Sequence, residues 1–279
     1  MRAAVAVITL TLATSSALIV AAPRPIATTH RAPVPSASIA VSASALTHGT
    51  AGVTALSGLV AWIAPKFNMD VYGITSNDGI GDGAYYQVRQ IGAWQIVNAF
   101  VLMSGLKGSL SAASALLIAS AWSTIICIPS NEYFEKPKGP AILSALAFAV
   151  LGRLTAKGRI SAYVSGGVMS LLGALIVLTP KETAAMYKVT PEKATPLMLS
   201  MLAATGSTVL CTGLYVLALV AGRTQRTAFG LSILTNALFA LKFTLTDAEE
   251  LGAKTASQIG PLALRTAAQL ILAAIALLA

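Results

Sequence analysis

Eight apolar runs of about membrane-spanning length follow one another from Ala45 to the C-terminus. The hydrocarbon core of a bilayer is about 30 Å thick, and an α-helix of about 20 apolar residues crosses it. Prolines lie at the ends of the runs, where helices stop or start. The sequence therefore predicts an all-α integral membrane protein with eight transmembrane helices, near 45–64, 86–106, 109–128, 139–155, 160–179, 195–221, 226–246 and 259–279.

Charged residues are too few to cover a soluble globule. They make up 10% of the chain and hydrophobic residues 56%, whereas a soluble domain carries about 25% charged residues. The lipid bilayer is therefore the expected partner. The formal charge of +9 does not indicate nucleic acid, because the 19 basic residues are scattered between apolar runs and form no stripe.

The N-terminal residues 1–44 resemble a targeting segment. Residues 1–17 contain Arg2, an apolar stretch and a small-residue end, as a secretory signal peptide does. The residues that follow are rich in Ser, Thr, Ala and Pro, and no acidic residue precedes Asp70. An acid-free, hydroxyl-rich stretch is typical of an organelle transit peptide. A signal peptide followed by such a stretch resembles the bipartite leader of plastid proteins in algae with complex plastids, which favours a plastid membrane, either envelope or thylakoid. The alternatives are a plain signal peptide with a Pro-rich spacer, which implies the secretory pathway or plasma membrane, and a retained anchor at 3–22.

A spaced motif recurs in the two halves of the chain. Gly58-x6-Pro65-Lys66-x5-Tyr72-x2-Thr75 returns 115 residues later as Gly173-x6-Pro180-Lys181-x5-Tyr187-x2-Thr190. We expect two four-helix membrane repeats, 45–159 and 160–279. A unit of four spans begins and ends on the same side, so the repeats should be parallel and related by a pseudo-two-fold axis along the membrane normal. A central site would then lie between them.

Basic residues distinguish two kinds of connection. The compact turns after the second, fourth and sixth runs contain basic residues and no acid, whereas the other connections contain all ten acids. Orientation follows basic density in short loops, so we expect the compact turns to face the cytosol or stroma.

Catalytic and metal-binding side chains are scarce. His30 and His48 are the only histidines, and both lie in or next to the leader. We therefore expect no haem, no histidine-ligated metal and no histidine general base, hence no cofactor and no enzymatic activity. The loop motif Asp78-Gly-x-Gly-Asp82-Gly lacks the alternating ligands of a calcium loop and favours a glycine-rich turn.

Two groups of polar side chains within the runs are candidate site residues. Amides in apolar helices either line a cavity between the halves or form interhelical hydrogen bonds. Basic residues at helix ends either form a cationic vestibule for an anionic solute or lipid headgroup, or extend to the interface as anchors. The amides are Gln95, Asn98, Asn236 and Gln269, and the basic residues are Arg89, Lys242 and Arg265.

Three short motifs resemble DoxX-like families of four-helix membrane proteins. They are Ala64-Pro65 at the end of the first run, Tyr72-Gly73 after it, and Arg89-x2-Gly92 at the start of the second run. The second half departs from this pattern, because Lys188 follows Tyr187 and no arginine matches Arg89. The resemblance implies a compact helical bundle in each half and no settled activity.

These features together favour a non-enzymatic carrier with its site between the repeats. The alternative is an assembly or scaffold subunit that binds other membrane subunits. A membrane-embedded enzyme would need a catalytic constellation that the sequence does not contain.

Overall fold

The computed structural model describes residues 43–71, 82–129, 138–247 and 256–278, and in these ranges the chain is helical without a strand. The targeting segment up to residue 42 and most of the glycine-rich loop, residues 72–81, lie outside them. The helices are α1 (Ala43–Ile63), α2 (Pro65–Val71), α3 (Asp82–Gly105), α4 (Ser109–Ile126), α5 (Lys138–Ala156), α6 (Ala162–Leu178), α7 (Pro180–Met186), α8 (Pro196–Val220), α9 (Gln225–Lys242) with a π-helical turn (Phe243–Asp247), and α10 (Ala256–Leu278).

Long helices occupy all eight predicted positions, but fewer of them can cross a membrane by length and hydropathy. Four qualify among the described residues, namely α4, α5, α8, and α9 together with its π-helical turn. A fifth is formed if α6 and α7, bent by 109° at their junction, count as one broken span. The structure thus supports an α-helical membrane protein and not the predicted eight spans.

Polar side chains lower the hydropathy of two of the remaining helices, α1 and α3. His48 and several threonines lower the mean hydropathy of α1, and Arg89 with three glutamines does the same in α3. In α10 (Ala256–Leu278) the apolar stretch among the described residues is Leu262–Leu278, of 17 residues. The apolar runs predict helices at these positions. The polar side chains within α1 and α3 weaken the further prediction that these two helices span the membrane.

Helix starts follow from side-chain capping. Ser161, Thr195 and Thr224 precede α6, α8 and α9, and each hydroxyl accepts a hydrogen bond from a backbone N–H in the first turn. The compact turns after α3 and α8 each contain a glycine with positive φ, Gly108 at 116° and Gly222 at 75°. Only glycine adopts these angles without strain, so each turn depends on its glycine.

One basic residue of the compact turns has a structural partner. Arg226, in the first turn of α9, donates from Nη2 to the carbonyl oxygen of Ile275 at 2.6 Å. This carbonyl lies in the last turn of α10, where carbonyl groups lack intrahelical donors and favour a positive charge. The contact ties the start of α9 to the end of α10.

The helices of the two halves pack in the same order. In the first half α1 contacts α3, α3 contacts α4, and α4 contacts α5; in the second half α6 contacts α8, α8 contacts α9, and α9 contacts α10. The halves meet where α3 packs on α8, with further contacts of α4 with α6 and of α1 with α9. Buried Val97, Leu102, Leu116, Val216 and Phe229 belong to the core cluster at this junction.

Paired glycines set the closest helix crossings in both halves. A Cβ atom at Gly58 would lie 2.6 Å from the carbonyl oxygen of Gly92, and one at Gly92 would lie 2.5 Å from that of Gly58. A Cβ atom at Gly173 would lie 2.8 Å from the carbonyl oxygen of Gly206. Because only glycine allows the backbones to approach this closely, these pairs fix α1 against α3 and α6 against α8.

Two short helices replace predicted loops. α1 ends at Ile63 and α6 ends at Leu178, and Pro65 and Pro180 then each begin a seven-residue helix. Proline suits the first turn of a helix because its missing N–H would have no partner there. Each proline therefore lies where one helix has ended and a new short helix begins. α2 packs back onto α1 and α3, and α7 packs back onto α6 and α8.

Candidate binding cavity between the two halves

A small cavity of about 90 Å³ lies between the two halves of the chain. Helices α2 and α3 of the first half form one side, and α8, α9 and α10 of the second half form the other. Its polar lining residues are Asn68, Gln95, Thr208, Asn236 and Arg265. Its apolar lining includes Met69, Val88, Met201, Phe239 and Phe243. No acidic side chain lines it among the described residues.

Gln95 supplies the most deeply buried amide of the cavity. Its side chain is 6% exposed, and its Oε1 atom has no hydrogen-bond partner within the part of the chain that the structure describes. A buried amide oxygen without a partner destabilises a protein by about 1–3 kcal/mol. Since Gln95 lines the cavity, a polar occupant of the cavity can supply the missing donor.

Asn236 faces the same cavity from α9. Its Oδ1 atom accepts a hydrogen bond from the hydroxyl of Ser207 at 2.9 Å, which fixes the amide against α8. The Thr208 hydroxyl, also at the cavity, donates to the Ala204 carbonyl oxygen of its own helix at 3.1 Å. These side chains are thus held in place by α8 while the Asn236 Nδ2 group adds donor capacity.

Arg265 also lines this cavity rather than an outer vestibule. It lies in α10 and is partly buried. An arginine presents planar N–H donors and stays charged at all physiological pH values. Its position therefore biases the cavity toward solutes with acceptor atoms and against cations.

The other predicted residues lie elsewhere. Asn98 donates from Nδ2 to the Sγ atom of Cys211 at 3.6 Å and so joins α3 to α8. Gln269 lies in α10 outside the cavity lining, with its Oε1 buried and unpartnered among the described residues. Lys242 is exposed at the end of α9. Arg89 lines a separate cleft. The structure therefore brings together Gln95, Asn236 and Arg265 and separates the remaining four.

Asn68 is, with Thr208 of α8, one of two polar lining residues that sequence reasoning missed. It lies in α2, which the sequence presents as a loop after Pro65. The signal that could have found it is the recurrence of Pro-Lys at the start of α2 and α7, which marks a repeated structural element rather than a simple helix stop. An amide on such an element can reach the space between the halves.

The cavity matches a small polar solute in size and chemistry. A volume of about 90 Å³ corresponds to about three water molecules at about 30 Å³ each. Three amides and an arginine provide donors and acceptors, and methionine and phenylalanine side chains supply an apolar wall. Sites of this type combine an apolar wall with a few convergent polar groups.

Replacing Gln95 with leucine should raise the stability of the protein. The change removes an unpartnered buried amide and keeps a side chain of similar length, so the free energy of unfolding should increase by about 1–2 kcal/mol. Thermal unfolding of the purified protein in detergent measures this. Asn236→Leu is the matched control: it removes an amide whose oxygen accepts a hydrogen bond from Ser207, and it should not stabilise. A lower melting temperature for Gln95→Leu would show that its amide has a partner in the folded protein.

No family model, curated protein or solved structure matches the chain. The resemblance to DoxX-like families therefore stays a prediction.

Proposed function

We propose that this membrane protein is a non-enzymatic carrier of a small polar solute, with its binding site in the cavity between the two halves. One observation carries the proposal. Gln95 from the first half and Asn236 from the second half line the same buried cavity, and the Gln95 amide oxygen has no partner among the described residues. A polar occupant of the cavity would supply this oxygen with a hydrogen-bond donor.

Breaks in the helices around the cavity support transport. Carrier sites are commonly lined by discontinuous membrane helices, because a broken helix exposes backbone polar groups and allows part of the wall to move. Here the helix is interrupted at Ala64, between α1 and α2, and α2 contributes Asn68 to the cavity. Phe243, which also lines the cavity, begins the π-helical turn that ends α9.

The packing order supports a tandem duplication of a four-helix unit. If the two halves are exchanged, α1 corresponds to α6 and α9 corresponds to α4. The contact of α1 with α9 then corresponds to that of α6 with α4, and both contacts are present. The central contact of α3 with α8 corresponds to itself. The glycine crossings and the short helices after α1 and α6 follow the same exchange. A pseudo-two-fold axis would then pass near the α3–α8 contact, next to the cavity.

Access to the cavity from both sides of the membrane is the test of the carrier function. A carrier alternately opens its site to each side, so a cysteine in the cavity should react with a charged, membrane-impermeant thiosulfonate added to either side of proteoliposomes. The cysteine is placed at Ala240, which lines the cavity. The background is Cys127→Ala with Cys211→Ala, since these are the two native cysteines and both are buried.

Ala237→Cys provides the control on the same helix. Ala237 is fully buried away from the cavity lining and should stay unmodified from both sides. Reaction of Ala240→Cys from one side only, or from neither, contradicts a carrier. Such a result would instead favour an assembly or scaffold subunit, in which the space between the halves stays closed.

A further inference from the structure

An open cleft of about 570 Å³ lies at the junction of α1, α2 and α3. It is formed by the end of α1, the outer side of α2 and the first turns of α3. Its lining includes Lys66, Asp70, Tyr85, Tyr86 and Arg89. The carrier proposal makes no use of these side chains.

Arg89 is the central cation of the cleft. Its guanidinium carbon lies 5.6 Å from the centre of the Tyr86 ring, which holds the group by a cation–π contact. The buried Nε atom has no hydrogen-bond partner in the described ranges of the chain. A partly buried guanidinium whose Nε–H has no partner favours an anion, and its planar fork fits the paired oxygens of a phosphate or carboxylate.

A second cation lies on the other wall. Lys66, in the first turn of α2, is exposed and lines the cleft together with Asp70, one turn further along the same helix. Among the described lining residues, two cations and one carboxylate leave a net positive charge. Lysine acts as a mobile point charge that complements the fixed fork of arginine.

The wall next to these cations is apolar. Ile63, at the end of α1, is 66% exposed, and Phe67, next to Lys66, is 39% exposed. Both line the cleft. An apolar surface that adjoins a cationic one at a helix end fits a molecule with a charged head and a hydrocarbon chain, and tyrosines commonly lie at this level of a bilayer.

The cleft is separate from the cavity between the halves. Met69 and Val88 line that cavity, are each 2% exposed, and belong to one packed cluster. They come from the same two helices, α2 and α3, that supply Lys66 and Arg89 to the cleft. The two spaces thus lie on opposite sides of the α2–α3 contact.

The second half has no equivalent cation pair. Pro180-Lys181 corresponds to Pro65-Lys66, but aligning Gly206 with Gly92 places Ala203 where α3 has Arg89. Ala203 is buried. The arginine is therefore not needed for the packing that the two halves share, which points to a role specific to the first half.

We propose that the cleft binds the phosphate of an anionic phospholipid, with the phosphate oxygens between Arg89 and Lys66 and an acyl chain along Ile63 and Phe67. The phosphate is the chemistry that the cations recognise. The apolar wall favours a lipid over a soluble phosphate ester.

Lipid binding to the delipidated full-length protein in detergent tests this site. Native mass spectrometry with phosphatidylglycerol measures the apparent dissociation constant of the tightest-bound lipid. Arg89→Gln should weaken it about tenfold, because one charge-assisted pair is lost. Arg89→Lys should weaken it about threefold, since the charge remains without the fork. Lys66→Gln, at an exposed position, should weaken it several-fold.

Control variants and competing ligands distinguish a lipid site from a soluble phosphate site and from nonspecific binding. Arg223→Gln removes an exposed arginine from the turn after α8 and should leave binding unchanged. Phosphatidylcholine should bind more weakly than phosphatidylglycerol and should not respond to Arg89→Gln. Competition by glycerol 3-phosphate at equal strength would show a soluble phosphate site and overturn the lipid assignment. Equal lipid affinity for the wild type, Arg89→Gln and Lys66→Gln would overturn the site itself.

Discussion

Replacing Gly173 with alanine is expected to destabilise the protein by at least about 1–3 kcal/mol, the usual effect of overpacking. The added Cβ atom would press against the backbone nitrogen of Leu210 and lie 2.7 Å from its Cα atom and 2.8 Å from the Gly206 carbonyl oxygen. All three are backbone atoms, which cannot rotate away as a side chain does. The α6–α8 pair must therefore separate. Titration of the purified protein with a denaturing detergent, followed by circular dichroism, measures the free energy of unfolding.

Gly167→Ala is the control within the same helix. A Cβ atom at Gly167 would meet nothing within 4 Å, so the substitution should only add helix propensity and stabilise α6 by up to about 1 kcal/mol. The two alanine variants should thus shift stability in opposite directions. Similar stabilities for both would show that α6 and α8 are further apart than the backbone crossing implies.

Replacing Ala204 with leucine should close the cavity between the halves. Ala204 lines the cavity, and the larger side chain would fill much of its volume of about 90 Å³. The rate at which a thiosulfonate modifies Ala240→Cys should then fall by about tenfold or more, which corresponds to at least about 1.4 kcal/mol in activation free energy. The measurement uses proteoliposomes and needs no knowledge of the solute.

Ala147→Leu makes the same chemical change on the exposed surface of α5, where lipid accommodates it. It should leave the modification rate of Ala240→Cys unchanged. Circular dichroism of both leucine variants shows that the helices persist. An unchanged rate in Ala204→Leu would mean that the reagent reaches Ala240 by a route outside the cavity.

Helix positions follow from the sequence because apolar runs and prolines report local preferences. The predicted run 195–221 is α8, Pro196–Val220, and the predicted run 109–128 is α4, Ser109–Ile126. The short helices α2 and α7 do not follow, since seven residues with several polar side chains carry too little periodicity to distinguish a helix from a loop. Their stability comes from packing on the adjacent helices, which is tertiary information.

The sequence predicts which residue types are candidates for the site, but not which way their side chains face. Amides stand out in apolar helices, so Gln95, Asn98 and Asn236 are all visible in the sequence. Gln95 and Asn98 are three residues apart, slightly less than one helical turn, yet only Gln95 lines the cavity and Asn98 contacts Cys211. This difference depends on how α3 is rotated against α8. Nothing in a single sequence specifies that rotation.

The glycine crossings also have a mechanical consequence. Within each half, backbone touches backbone at Gly58–Gly92 and at Gly173–Gly206, and such contacts do not slide without losing their fit. Between the halves the contact is made by side chains, among them Tyr215, whose hydroxyl donates to the Leu102 carbonyl oxygen at 3.3 Å. Side-chain contacts adapt by rotamer changes, whereas backbone crossings do not. The α1–α3 pair and the α6–α8 pair would each move as a rigid block, and rocking one pair against the other would reshape the cavity without bending a helix.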